Sequence, residues 1–161
     1  MIARLCVLML LALCAGLALA QQKPNPARPC YDALAGDARF VTIRDKVALS
    51  GFAREGLHAF TKSSERASAE ERPVLGAWKT AREACYQQEL PYFATRDVEI
   101  QALAREHFSA LQALITELQA GEMTYGDFGK RRIELYENLS SRVEKVRKSI
   151  LPAKPIPHTP G

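Results

Sequence analysis

From residue 68 to residue 150, apolar residues recur three and four apart, and no stretch of useful length alternates as a half-buried strand would. The clearest run is Ile100, Leu103, His107, Leu111, Leu114 and Leu118, widened by Ala104, Phe108 and Ile115 into one broad stripe of an amphipathic helix. Thr95 predicts its cap, and Asp97 and Glu99 fall in a first turn that favours negative charge. A second run, Phe128, Leu135, Tyr136, Leu139, Val143, Val146 and Ile150, predicts another helix that buries this face, keeps its opposite face charged and ends at Pro152. Between the two, Gly121 suits the left-handed residue that closes a helix. Thr124 and Asp127 then resemble a capping box with Asp in place of Glu. A link this short makes the two helices antiparallel.

Upstream, Ser68-Ala69-Glu70-Glu71 is a capping-box pattern with Pro73 near the helix start. Val74, Trp78, Ala81 and Cys85 share one stripe, with Leu75 and Arg82 beside it, and Pro91 predicts the end of this third helix. Tyr31 to Ala35 predicts a short helix broken by Gly36, and Asp37 a cap for the next, with Phe40, Ile43 and Val47 on one face. Residues 48–69, interrupted by Gly51 and Gly56, read as short helical pieces and loop, with Leu49, Phe52, Leu57 and Phe60 turned inward. The expected fold is all-α: a small helical bundle with a long antiparallel hairpin.

The ends differ from this body. Residues 1–20 have a short basic start, an apolar core from Leu5 to Leu19 and small residues at Ala18 and Ala20, the pattern of a cleaved secretory signal peptide. The apolar core is short for a membrane span, so no stable insertion is expected after cleavage. Leu13 before Cys14 is wrong for lipidation. Residues 21–29, with Pro24, Pro26 and Pro29, predict an extended arm, residues 30–151 the helical domain, and the proline-rich residues 152–161 a flexible tail. Cleavage removes Cys6 and Cys14. Cys30 and Cys85 remain, and an even count in an oxidising compartment predicts one disulfide, stabilising by about 4 kcal/mol on the chain-entropy model. The expected location is an oxidising compartment outside the cytoplasm, periplasmic or secreted, and the signal pattern by itself does not reveal the host.

Charge and motifs narrow the function by exclusion. A net charge of +4 falls short of a nucleic-acid binder, so no nucleic-acid partner is expected. His58, His107 and His158 have no neighbour at metal-ligand spacing, and there is no covalent haem motif, phosphate loop or nucleophile elbow. Met123, in the turn, is no haem ligand. No cofactor, metal or catalytic residue is therefore expected. Lys130, Arg131 and Arg132 with Arg142, Lys145, Arg147 and Lys148 form a basic face diluted by Glu134, Glu137 and Glu144, which reads as a solvated surface with paired charges. Trp78, Arg82 and Cys85 fall within two turns of one helix. They read as a core Trp, an Arg packed across it and a disulfide, or as the rim of a partner groove.

Two resemblances attach to these residues. Trp78-x-x-x-Arg82-x-x-Cys85 is similar to a segment of small periplasmic lysozyme-inhibitor-like proteins, over about ten residues and without that family's other cysteines. Gly121-Glu122-Met123-Thr124-Tyr125-Gly126-Asp127-Phe128, with Arg131 and Arg132, resembles the Gly-x-Ile-Thr-Tyr-Gly-Glu-Phe turn of small uncharacterised exported proteobacterial proteins. That group also pairs an early Cys with a Trp-x-x-x-Arg-x-x-Cys helix; it implies a periplasmic home and no particular activity. The reading that follows is a non-enzymatic periplasmic helical protein that binds another protein or an envelope component. Its candidate interaction surface is Trp78, Arg82, Tyr125, Gly126, Arg131 and Arg132. The alternatives are an inhibitor of a cell-wall hydrolase of lysozyme type and an enzyme with an unrecognised site. The sequence fixes no oligomeric state.

Overall fold

The computed structural model describes residues 24–50 and 57–150. The predicted signal peptide, the start of the arm, Phe52 and the proline-rich tail lie outside the described residues. Four α-helices follow one another: α1 (Arg28–Gly36), α2 (Glu71–Phe93), α3 (Val98–Ala120) and α4 (Tyr125–Ile150). Among the described residues there is no strand beyond an isolated bridge between Arg66 and Thr124. The fold is all-α. α3 packs against both α2 and α4, and α1 lies on α2.

Side-chain pairs fix the directions. Glu117 pairs with Arg131 near the turn and Glu106 with Arg142 further along, so α3 and α4 are antiparallel. Lys79 Nζ donates to Thr116 Oγ1 at 2.7 Å and Gln112 Nε2 to Glu83 Oε2 at 3.3 Å, so α2 and α3 are antiparallel as well. These exposed pairs set register more than stability. Cys30 and Cys85 are bonded, with Cα atoms 5.5 Å apart, which fastens α1 to the middle of α2.

The helix ends follow their local chemistry. Gly121 closes α3 in the left-handed conformation (φ 78°), with Gly121 N–H on Leu118 O and Glu122 N–H on Glu117 O, both at 3.0 Å. At the start of α2, Ser68 Oγ accepts from Glu71 N–H (3.3 Å) while Glu71 Oε2 accepts from Ser68 N–H (2.9 Å), a reciprocal capping box. Glu71 is itself buried and also accepts from Tyr125 O–H at 3.1 Å and from Lys46 Nζ at 2.9 Å. Burial opposes its charge, but these three donors outweigh it and hold the carboxyl below its usual range. At α4 the box departs from the pattern. Thr124 Oγ1 accepts from Asp127 N–H (3.0 Å) and donates its own proton to Asp127 Oδ2 (2.8 Å).

Several boundaries shift. α1 begins at Arg28 with proline in its first turn and runs through Gly36, so the arm is shorter than predicted and Ala27 is fully buried. Asp37 caps a single 3-10 turn, Ala38–Phe40, rather than an α-helix, yet Phe40, Ile43 and Val47 all reach the core. Pro91 does not stop α2; it sits in the last turn, which continues to Phe93. The cap of α3 is Asp97, whose Oδ1 accepts from Glu99 N–H at 2.8 Å, while Thr95 turns its hydroxyl back to Tyr92 O.

The core sits at the Gly121 end of the bundle. Phe40, Ile43, Leu75, Trp78, Leu111, Ile115, Leu118, Tyr125 and Phe128 are all essentially inaccessible there. Each fully buried apolar side chain of this size contributes about 1.5–3 kcal/mol. Residues 60–66 run across the start of α4 and complete it: Glu65 O accepts from Tyr125 N–H at 2.8 Å and Ser63 O from Gly126 N–H at 2.9 Å. A Cβ on Gly126 would lie 2.4 Å from Ser63 O, and one on Gly129 3.0 Å from Phe60 O. These two glycines are sites of close backbone approach. Gly126→Ala should therefore lower the melting temperature by several degrees, although Ala would favour an unobstructed helix by about 1 kcal/mol. Gly36→Ala, with nothing within 4 Å of the new Cβ, should leave stability unchanged or raise it in the same thermal melts.

Candidate functional site

Most of the residues expected on an interaction surface are not on one. Trp78 and Tyr125 are fully buried, Gly126 is buried under residues 61–63, and Arg82 and Arg132 are 4% and 1% exposed. Arg131 alone of the six is open to solvent, and it is paired with Glu117. The cause is register: positions 125, 128, 129 and 132 share the face of α4 that meets the core. Arg132 serves an irregular buried loop there. Its Nη1 donates to Ala48 O at 2.6 Å and its Nη2 to Ser50 O at 3.4 Å, while Trp78 Nε1 donates to Leu49 O at 3.4 Å. Trp78 carries Phe128 edge-on, with Arg82 at 5.5 Å and Arg132 at 5.8 Å from its ring centre.

At the other end of the bundle the helices part. A cleft of about 520 Å³ opens between α2, α3 and α4, running from Arg82, Leu111 and Tyr136 at its inner end to Phe93, Asp97, Arg147 and Ile150 at its mouth. Along α2 that depth is about 16 Å at the helical rise. Its walls are the outer half of the stripes that sequence periodicity assigns to the core: Ile100, Ala104 and Phe108 on α3, and Leu139, Val143 and Ile150 on α4. These α4 residues were expected to be buried. Instead Leu139 and Val143 are half-buried and Ile150 is 55% exposed, because among the described residues no fourth helix covers this end.

The inner end gathers polar groups. Arg82, Tyr86 and Glu89 follow one another on one face of α2, His107 faces them from α3, and Tyr31 from α1. Glu89 accepts from Tyr31 O–H at 3.3 Å and from Asn25 Nδ2. Burial pushes the Glu89 carboxyl above its usual range, against the pull of those donors and of Arg82. Arg82 lies over the Tyr31 ring at 5.1 Å, but its Nε and Nη1 have no hydrogen-bond partner among the described residues. The same holds for the Tyr86 hydroxyl, whose ring stacks on Phe108 at 3.8 Å, and for His107 Nδ1. A buried polar group without a partner costs about 1–3 kcal/mol. Desolvation lowers the pKa of both arginines, and in Arg132 the nearby Arg82 adds to it, bringing Arg132 to about 10. A guanidinium is effectively always protonated in proteins, so both are cations. Desolvation and these two cations bring His107 to about 4, so it is neutral.

No protein-family model, curated protein or solved structure matches the chain. The local likenesses at Trp78 to Cys85 and Gly121 to Phe128 therefore assign no family. Among the described residues, no group of three or more His, Cys, Asp or Glu could hold a metal ion, and no helix is long and apolar enough to cross a membrane. The basic face of α4 is partly neutralised by Asp127–Lys130, Glu106–Arg142 and Glu144–Lys148 pairs. Sequence reasoning named Arg82 but missed Tyr31, Tyr86, Glu89 and Tyr136 as its neighbours. One signal was available: Arg82, Tyr86 and Glu89 are spaced four and three on a helix whose inward face should be apolar.

His107 offers a direct check. Its folded pKa lies below the unfolded value of 6.5, so the stability it contributes is fully present above pH 6.5 and is lost as pH falls toward about 4. The loss should reach about 3 kcal/mol. Denaturant unfolding across that range should show it, and His107→Phe should remove most of that slope.

Proposed function

We propose that the protein is a non-enzymatic binding protein of the bacterial periplasm that holds a small, largely apolar envelope molecule in the cleft between α2, α3 and α4. The observation that carries this reading is the cleft itself: an apolar-walled space of about 520 Å³ with a few buried polar groups at its inner end. Small-molecule sites have this size and composition. A disulfide between Cys30 and Cys85 is compatible with export, and the sequence pattern of residues 1–20 supports it. The inhibitor alternative loses its motive, since Trp78 and Cys85 are inaccessible to a hydrolase. The enzyme alternative has a cleft, but among the described residues no serine, threonine or cysteine there is hydrogen-bonded to a base: the Thr95 hydroxyl at the mouth donates to Tyr92 O, and His107 lies toward the inner end.

N-phenylnaphthylamine, a neutral dye that brightens in apolar surroundings, tests the reading without knowledge of the natural ligand. It should bind the purified protein with one saturable site, and Ala104→Trp, which fills the cleft from α3, should weaken that binding by about tenfold or more. Absent saturable binding, or binding that ignores Ala104→Trp, would remove the cleft as the functional site.

A further inference from the structure

The cleft is asymmetric along its length, and the asymmetry speaks to the chemistry of its occupant. Apolar walls, aliphatic at Ile100, Leu139 and Val143 and aromatic at Tyr86, Phe93 and Phe108, lead inward to a cation, Arg82, that is nine-tenths buried and has two nitrogens without an acceptor among the described residues. A buried guanidinium with unused N–H groups is a receptor for an oxyanion, because a charge-assisted hydrogen bond replaces the water that burial removed. Tyr86 and His107 line the same space, and the Tyr86 hydroxyl and His107 Nδ1, both buried and without a partner among the described residues, have the capacity for a second hydrogen bond. Cations also outnumber anions on the lining, with Arg82, Arg96 and Arg147 against Glu89 and Asp97.

Glu89 limits how much negative charge can enter. It lies on the same face of α2 as Arg82, two turns along, and a doubly charged head would bring both its charges against that carboxylate. A single charge spread over a planar group, matched to a guanidinium, avoids this. An aliphatic body suits the walls of Ile100, Ala104, Leu139 and Val143.

From this geometry we infer that the cleft binds an aliphatic carboxylate of fatty-acid type, head inward, with its carboxylate received by Arg82 and its chain along α3 and α4. This rests on the binding reading above and names the class of ligand.

The test is displacement of N-phenylnaphthylamine at neutral pH by four molecules of one chain length: decanoate, decanol, decyltrimethylammonium and decyl phosphate. Decanoate should displace the dye about tenfold more tightly than decanol, the order of one charge-assisted hydrogen bond, and decyltrimethylammonium should be weakest. Decyl phosphate should fall below decanoate. Arg82→Met should bind the dye but lose the preference for decanoate over decanol. The head-group series on the unmutated protein stands on its own if that variant does not fold. Decanol binding as tightly as decanoate would overturn the carboxylate assignment while leaving the apolar cleft in place, and tighter binding of decyl phosphate would overturn the single-charge assignment. A protein that binds neither the dye nor any of the four would overturn this inference and the binding reading together.

Discussion

Two guanidinium groups lie against one buried tryptophan, and the rest of the molecule is arranged around that constraint. Trp78 is inaccessible, with Arg82 and Arg132 each within 6 Å of its ring centre and, among the described residues, no carboxylate in a salt bridge to either. Cation–π attraction and stem packing favour this arrangement, while desolvation and mutual repulsion oppose it. The two arginines resolve the opposition differently. Arg132 spends Nη1 and Nη2 on the carbonyls of residues 48 and 50 and so ties an irregular loop into the core, while its Nε has no partner among the described residues. Arg82 leaves Nε and Nη1 without one and lines the cleft between the helices.

The two ends of the bundle differ for the same reason. Toward Gly121 the seam between helices is filled by aromatic side chains and by Phe40, Ile43, Val47, Leu49 and Ala67, so the apolar stripes of α2, α3 and α4 find partners. Away from Gly121 those stripes continue without an equivalent filler. α1 reaches only the inner end, where Tyr31 stands beside Arg82. The cleft is thus a place where three apolar faces converge and the described chain supplies nothing to close them.

Periodicity made the helices legible, because a stripe recurring at three and four has one regular solution. Caps are legible where they are local, as at Gly121, at Ser68 with Glu71, and at Thr124 with Asp127. Asp97 displaced Thr95 as a cap because the helix begins at Val98 and the Thr95 hydroxyl is already used on Tyr92 O. The disulfide was legible from cysteine count and compartment. What escaped was the direction of polar residues. A run such as Lys130-Arg131-Arg132 reads as one basic patch, but a helix rotates each residue by about a quarter turn, so Arg131 is solvated and Arg132 sealed. Nor does a stripe say whether its partner exists. Leu118 and Ile150 belong to equally regular patterns, and one is buried while the other meets open space.

The disulfide bears on more than the endurance of the fold. Cys30 precedes Tyr31, and Cys85 lies one turn from both Arg82 and Glu89. A covalent bond therefore sets the spacing between the tyrosine and the charged pair that line the inner end of the cleft. Without it, α1 would rest on noncovalent contacts, among them side-chain packing and the hydrogen bonds to Glu89. The shape of the cleft is in that sense a record of oxidation: its far wall is located by a bond that a reducing environment would not let form.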